Sequence, residues 1–240
     1  MRFALSFAVL FLVLAARADS PRYDDLATAL ISDLQATVTA TRADQAELRK
    51  INKDFGMAYR LRSVVLRFKR PGKLRMDGRI GQETALYIVN GSTRYYCIPK
   101  LNIKNRDDLG NSPGKRYSLL ELGIVSRGDL AGVQAKYLRA ESLDGSPCHV
   151  FDFLYKGDDS LRYTLWIDPQ TRVIRKREWY DSAGKLRASF LHLDPKEVTP
   201  GTWMPTRVEI RNGEGTLAAT IDYSEVKVNQ NLDDSLFATS

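Results

Sequence analysis

From Phe55 onward the chain alternates apolar and polar residues in short runs that are stopped by turn formers about every ten positions, the pattern of an antiparallel sheet. Val64, Leu66 and Phe68 alternate with Val65, Arg67 and Lys69. Leu161, Tyr163, Leu165 and Ile167 alternate with Arg162, Thr164, Trp166 and Asp168, and Thr206, Val208 and Ile210 with Arg207, Glu209 and Arg211. Such strands present one apolar face and one mostly wet face. Asp77-Gly78, Asn90-Gly91, Asp144-Gly145 and Asn212-Gly213 fit tight hairpin connections, where Gly and Asn tolerate positive φ. Asp168-Pro169 and Asp181 to Gly184 mark two further turns. Asn90-Gly91-Ser92 also matches a glycosylation acceptor, but its place between two strand patterns favours the turn.

Two stretches depart from the alternation. Over about 22–53, Leu26, Leu30, Leu34 and Val38 recur every four residues among Ala, Gln, Glu and Arg, which predicts an amino-terminal helical region. Thr39-Ala40-Thr41 divides it into two helices, and Asp44 stands where the first turn of the second would welcome a carboxylate. Over about 105–135, Leu109, Tyr117, Leu119, Leu120, Leu122, Ile124, Val125 and Leu130 sit among Gly, Ser, Arg and Asp without a period of two. This reads as one or two short helices with Ser126-Arg127-Gly128 between them, forming either a functional lid or a plug that fills the core.

The amino terminus carries Arg2, an apolar run from Phe3 to Ala16, and the small-residue triplet Ala16-Arg17-Ala18. This predicts a secretory signal, residues 1–18, cleaved after Ala18. The run is shorter than the ~20 residues that span a bilayer, so export into the periplasm is expected. The remaining 222 residues contain no Pro/Gly/Ser-rich linker and are expected to form a single domain, 19–240, with the sheet over about 55–237. They carry 34 bases against 29 acids, a net +5 of interspersed charge that reads as a solubilising surface. Nucleic-acid binding is not expected, because basic runs with interleaved aromatics are missing and export removes access. In an oxidising compartment Cys97 and Cys148 form either a bridge between two strands or two small buried thiols.

Reactive chemistry is scarce. His149 and His192 belong to no metal-ligand spacing, and the sequence lacks a GxSxG elbow, a P-loop and a GxGxxG loop. Adjacent carboxylates at Asp24-Asp25, Asp107-Asp108, Asp158-Asp159 and Asp233-Asp234 lie in polar, turn-like surroundings where they stay solvated. No enzyme activity, cofactor or metal is therefore expected. A large sheet apolar on one side must instead curl around a core, its own helices or a guest. Burying a sixteen-carbon acyl chain could supply on the order of 10 kcal/mol without any polar chemistry.

Residues 68–99, FKRPGKLRMDGRIGQETALYIVNGSTRYYCIP, resemble the LolA-like outer-membrane lipoprotein-sorting proteins, in which a strand ending in Lys-Arg-Pro is followed by hairpin strands and an aromatic strand ending in Pro. LRYTLWIDPQTRVIRKREWYDSAGKLRASF, GTWMPTRVEIRN and IDYSEVKVNQNLDDSLF follow in the family's order, so the resemblance covers about residues 55–237. It implies an open antiparallel half-barrel, mainly β with α, with an amino-terminal helix and short lid helices on its hydrophobic concave side. It also implies a periplasmic chaperone that carries acylated lipoproteins or lipids toward the outer membrane as a monomer, exchanging cargo with a membrane-bound donor or acceptor. Related sensors of the same fold bind a regulatory membrane protein, which is the alternative. Within the family the arginine of Arg-Pro holds the lid shut by hydrogen bonding to lid backbone, which falls on Arg70, followed by Pro71. The expected cavity lining is Leu66, Phe68, Leu74 and Met76, with Leu119, Leu120 and Leu122 on the lid. The chain departs from the best-known carriers in having Leu74 where they place a cavity-facing aromatic.

Overall fold

The computed structural model describes residues 20–28, 31–112, 115–116 and 118–239. The expected signal segment, its cleavage site, Leu30 and Tyr117 lie outside them. Thirteen strands form one antiparallel sheet: β1 (Asp33–Ala43), β2 (Ser63–Lys69), β3 (Lys73–Ile80), β4 (Glu83–Asn90), β5 (Thr93–Ile98), β6 (Ile103–Asp108), β7 (Val133–Leu143), β8 (Ser146–Tyr155), β9 (Asp158–Ile167), β10 (Ile174–Tyr180), β11 (Leu186–Thr199), β12 (Thr202–Asn212) and β13 (Leu217–Val228). Their spatial order is β6-β5-β4-β3-β2-β1-β13-β12-β11-β10-β9-β8-β7. Two meanders are thus joined where β1 pairs with both β2 and β13, and β6 and β7 are left as the two edges. The sheet curls without closing into a barrel, the expected half-barrel.

The amino-terminal helix is the main correction. Residues 33–43 are strand β1, with Leu34 opposite both Phe68 and Val228 and Val38 opposite Val64 and Tyr223. A spacing of four is a multiple of two, so Leu34 and Val38 share a face in a strand as they would in a helix. The β-branched Thr37, Val38, Thr39 and Thr41 suit the strand, and the paired edges of β2 and β13 decide it. Among the described residues of this region, a 3-10 turn at Tyr23–Leu26 and two short helices, α1 (Gln45–Ile51) and α2 (Lys53–Ala58), are helical. Asp44 is the N-cap of α1 and accepts from the backbone N–H groups of Ala46 (2.9 Å) and Glu47 (3.2 Å), as its position predicted. Among the described residues no helix is long and apolar enough to cross a membrane.

The hairpin turns fall where expected at Asn90-Gly91, Asp144-Gly145 and Asn212-Gly213, but Asp77-Gly78 lies inside β3 and the turn comes later, at Gly81 with φ +62°. Gly78 faces Val64, whose Cγ1 would stand 2.6 Å from a Cβ, so the glycine serves close packing. Cys97 and Cys148 are free thiols and not bridged. They occupy β5 and β8, each second from an opposite edge of the sheet, and are buried in separate clusters.

The concave face is covered in three parts. Leu48 and Ile51 of α1 pack on Phe190, Val208, Ile210 and Ile221 of β11–β13. Leu34, Leu66, Phe68, Leu74 and Val89 form a second cluster over β1–β4, and Phe151, Phe153, Tyr163 and Leu165 a third over β8–β9. The carboxyl terminus crosses β3 and β4, with Phe237 fully buried and Asn90 donating to its carbonyl. Asp33, 1 % exposed, fixes this tail by accepting from the backbone N–H groups of Gln230 (2.7 Å) and Asn231 (2.8 Å). Hydrogen bonds to a charged acceptor contribute about 1.5–3 kcal/mol, so Asp33→Ala is expected to lower the unfolding free energy read from urea titration by that order and to speed amide exchange first in residues 230–239.

Candidate functional site

Because β6 and β7 lie at opposite edges and are consecutive in the chain, the segment between them must cross the sheet, and its apolar residues place that crossing on the concave face. The described part of this strap carries a 3-10 turn at Leu119–Leu122 and another at Arg127–Gly132. Ser118 caps the first turn: its Oγ accepts from Leu120 N–H (3.2 Å), and Glu121 Oε2 accepts from Ser118 N–H (2.7 Å) and Oγ–H (3.0 Å). Gly123 ends it at φ +76°, so close to Pro205 and His192 that a Cβ would stand 2.8 Å from Pro205 Cγ and 3.0 Å from His192 Cδ2. The turn-forming backbone and the crowding both demand glycine here.

The strap serves both arms of the curled sheet. Leu119, Leu122 and Ile124 join Leu66, Phe68 and Leu74, with Met76 packed alongside, whereas Leu120 and Val125 join Phe151, Phe153 and Leu165. Of the seven apolar residues expected at the site, Leu66, Phe68, Leu74, Met76, Leu119 and Leu122 thus meet in one cluster, and Leu120 packs in another on the opposite arm. The hollow expected among them is filled: Leu66 is 1 % exposed, Phe68 2 %, and Leu74, Leu119 and Leu122 0 %. An open, partly polar groove of about 370 Å³ remains at one end of the strap, where Ser20, Arg22, Tyr23 and Asp24 meet Leu130, Val133, Ala135, Tyr137 and Phe151.

Polar ties hold the strap down. Arg70 follows β2, joined to Pro71 by a cis peptide bond, and its Nη1 donates to Ser126 Oγ at 2.7 Å. Its guanidinium lies over Gly128, where a Cβ would come within 1.3 Å of Nη2. Arg70 thus grips the strap through a side-chain hydroxyl as well as by packing on bare backbone. Thr28 adds a parallel bridge to Ser126, its N–H donating to Val125 O at 2.9 Å, and Ile174 N–H donates to Gly123 O at 2.9 Å.

Beneath the first turn lies a polar centre that the sequence reading did not include. Arg177 of β10 is 6 % exposed and donates from Nη1 to Glu121 Oε1 at 3.3 Å. Its guanidinium sits 4.2 Å from the centroid of Phe190 and 5.4 Å from that of Tyr163. His192 of β11 is fully buried, and neither ring nitrogen makes a hydrogen bond of good geometry, although the Glu121 backbone lies near enough to favour its proton. Burial, then the charge of Arg177, hold His192 down at about 3. Burial raises the phenol of Tyr163 to about 12 and that of Tyr155 well above its usual range; Arg177 opposes both shifts and Glu121 reinforces them. The spacing Ser118-x-x-Glu121 is a sequence signal for the capped turn. Nothing in IRKREWY marks Arg177 as inward, since a register shift between Ile174 and Lys176 sets its face.

The His192 value fixes a pH dependence. A histidine at about 3 when folded and near 6.5 when unfolded binds its proton more readily in the unfolded chain, so stability falls as pH drops from 6.5 toward 3. His192→Gln is expected to remove part of that slope, seen as wild-type and variant urea midpoints that converge between about pH 6.5 and 4.5. Parallel slopes would contradict the buried neutral imidazole.

One family model, described as "Uncharacterized protein", matches residues 124–240. No curated protein sequence matches the chain. Among solved structures, a domain assigned to the outer membrane lipoprotein-sorting proteins of Vibrio parahaemolyticus is 13 % identical, with 90 % of this chain and 92 % of that one covered at a TM-score of 0.60. A DUF1329 family protein from Desulfovibrio piger is 14 % identical over 90 % and 92 %, TM-score 0.55, and a LolA superfamily protein from Nitrosomonas europaea 18 % identical over 90 % and 94 %, TM-score 0.52. The strand order, the curl of the sheet and these likenesses agree, and the chain has the LolA-like fold.

Proposed function

We propose that the chain is a non-catalytic periplasmic binding protein that takes acyl chains of lipoproteins or lipids onto the concave face by lifting the strap, for transfer toward the outer membrane. The observation that carries this reading is the strap itself, a segment of short turns that completes the core on both arms of the sheet. Fully burying an aliphatic side chain contributes roughly 1.5–3 kcal/mol, so displacing Leu119, Leu120, Leu122, Ile124 and Val125 forfeits on the order of 10 kcal/mol. A sixteen-carbon chain would restore a similar amount at about 0.8 kcal/mol per methylene. The exchange is therefore near balance, and the ties at Arg70, Ser126 and Thr28 set which state prevails.

The filled interior also supports a second reading, a sensor or scaffold of the same fold that never vacates its core and binds a regulatory membrane protein. Uptake of a fluorescent fatty acid separates the two. Closed and loaded states compete in a carrier, so Arg70→Leu and Ser126→Ala, each weakening closure by about 1–2 kcal/mol, should raise apparent affinity roughly 5- to 30-fold. No uptake by wild type or by folded variants, with a single protein recovered after crosslinking, would replace the carrier with the scaffold.

A further inference from the structure

Three large hydrophobic side chains stand exposed among the described residues, and two of them share one corner of the sheet: Leu101, 55 % exposed, and Ile103, 42 %. Scattered apolar residues are ordinary on a protein surface, so the setting of this pair decides whether it matters. Residues 99–106 are exposed without a break, from the turn that joins β5 to β6 into the edge strand itself. Pro99–Leu101 form a single 3-10 turn that Asn102 closes at φ 51°, its N–H donating to Pro99 O at 3.0 Å, so Lys100 and Leu101 are held at the apex. Ile103 lies opposite the buried Ile98 but, on an edge strand, has no neighbour on its outer side.

Cations surround this apolar tip. Lys100 stands in the turn, Lys104 and Arg106 follow on β6, and Arg79 lies on the adjoining β3–β4 hairpin, all exposed. Lys104 and Arg106 make no ion pair among the described residues, whereas the acids near them are engaged: Glu83 with Lys100 at 3.5 Å and Asp107 with Arg94 at 2.7 Å. At the other end of the same arm Lys69 and Lys73 both bind Asp234, at 2.8 and 2.9 Å, so uncompensated positive charge gathers at the rim that carries Leu101. We infer that this tip is a docking site for an anionic lipid surface: Leu101 and Ile103 enter the boundary between headgroups and acyl chains while Lys100, Lys104 and Arg79 lie among the phosphates. A protein partner is the poorer fit. A standard protein interface buries about 800 Å² on each side, more than two side chains on an exposed corner supply. A strand added along β6 would pair with Ile103–Asp108 but leave Leu101, in the turn, uncovered. A bilayer needs no matching groove and receives a convex tip as it is. Docking here does not depend on acyl binding by the concave face, because no residue of the tip belongs to the strap or to the clusters beneath it.

Vesicle flotation tests this with the protein lacking residues 1–18, whose apolar run would bind membranes by itself; every described residue is kept. Vesicles of phosphatidylglycerol and phosphatidylethanolamine are compared with vesicles of phosphatidylcholine. The protein is expected to favour the anionic vesicles by about tenfold or more in about 0.1 M salt, and to lose most of that preference in about 1 M salt, where the Debye length falls from about 10 Å to about 3 Å. Lys100→Gln/Lys104→Gln should weaken binding to the anionic vesicles about 25-fold, at roughly fivefold per cation. Leu101→Gln/Ile103→Gln should weaken it by about tenfold. Leu138→Gln, at the third exposed hydrophobic and on the opposite edge of the sheet, should change nothing. All five positions are exposed, so each variant should keep the circular dichroism and urea midpoint of the wild type. Equal binding to both kinds of vesicle, binding that the tip variants leave intact, or no binding at all would each overturn the docking site while leaving the acyl-binding reading standing. Sedimentation supplies the remaining outcome: a dimer that Leu101→Gln/Ile103→Gln dissociates, without vesicle binding, would assign the tip to a second copy of the chain in place of the membrane.

Discussion

An open sheet whose inner face is apolar has to be covered, and this requirement organises the rest of the molecule. Thirteen strands curled without closure present more inner surface than any one short element could bury. The cover is divided among α1 on β11–β13, the strap on the two arms, and the turn at Tyr23–Leu26 beside it. Because β6 and β7 lie at opposite edges, the chain must cross the sheet to pass from one to the other, and the strap's apolar residues put that crossing over the concavity. The need for a strap therefore follows from the strand order. Its hold does not: closure depends on the capped turn, the glycines at 123 and 128, and the reach of Arg70 across to Ser126.

The edges themselves are left unpaired, which in a large sheet invites association. β6 carries Lys104, Arg106, Asp107 and Asp108, and β7 carries Lys136, Arg139 and Glu141. These charges stand beside exposed Ile103 on β6 and Leu138 on β7, so both edges mix charged and apolar residues.

At its centre the interior departs from a simple apolar core. Arg177 and Glu121 meet where the strap crosses, with His192, Tyr155 and Tyr163 around them. A buried ion pair is weak support for stability, since desolvation offsets much of its attraction. It does fix a geometry: Glu121 serves its own turn and the sheet together, so the turn can dock in one register only. Two apolar arms would hold the strap without it, but with less specificity of position.

The alternating runs, the turn dipeptides and the order of the segments determined the antiparallel sheet, most of its hairpins and the apolar inner residues Leu66, Phe68 and Leu74, because period two and local turn chemistry are properties of neighbouring residues. Asp44 was legible as a cap for the same reason. Leu34 and Val38 were not legible as strand, since a spacing of four fits either period and only the open edges of β2 and β13 choose between them. His192 faces inward while Leu191 and Leu193 face out, an inversion of what hydrophobicity alone would choose, set by their pairing with Val208, Glu209 and Arg207. The separation of Cys97 from Cys148, the filling of the concavity and the meeting of Arg177 with Glu121 were likewise decided by tertiary structure. Each depends on strands far apart in the chain, on bulges that shift register and on the path of a strap across the sheet, and no local pattern of residues encodes such distances.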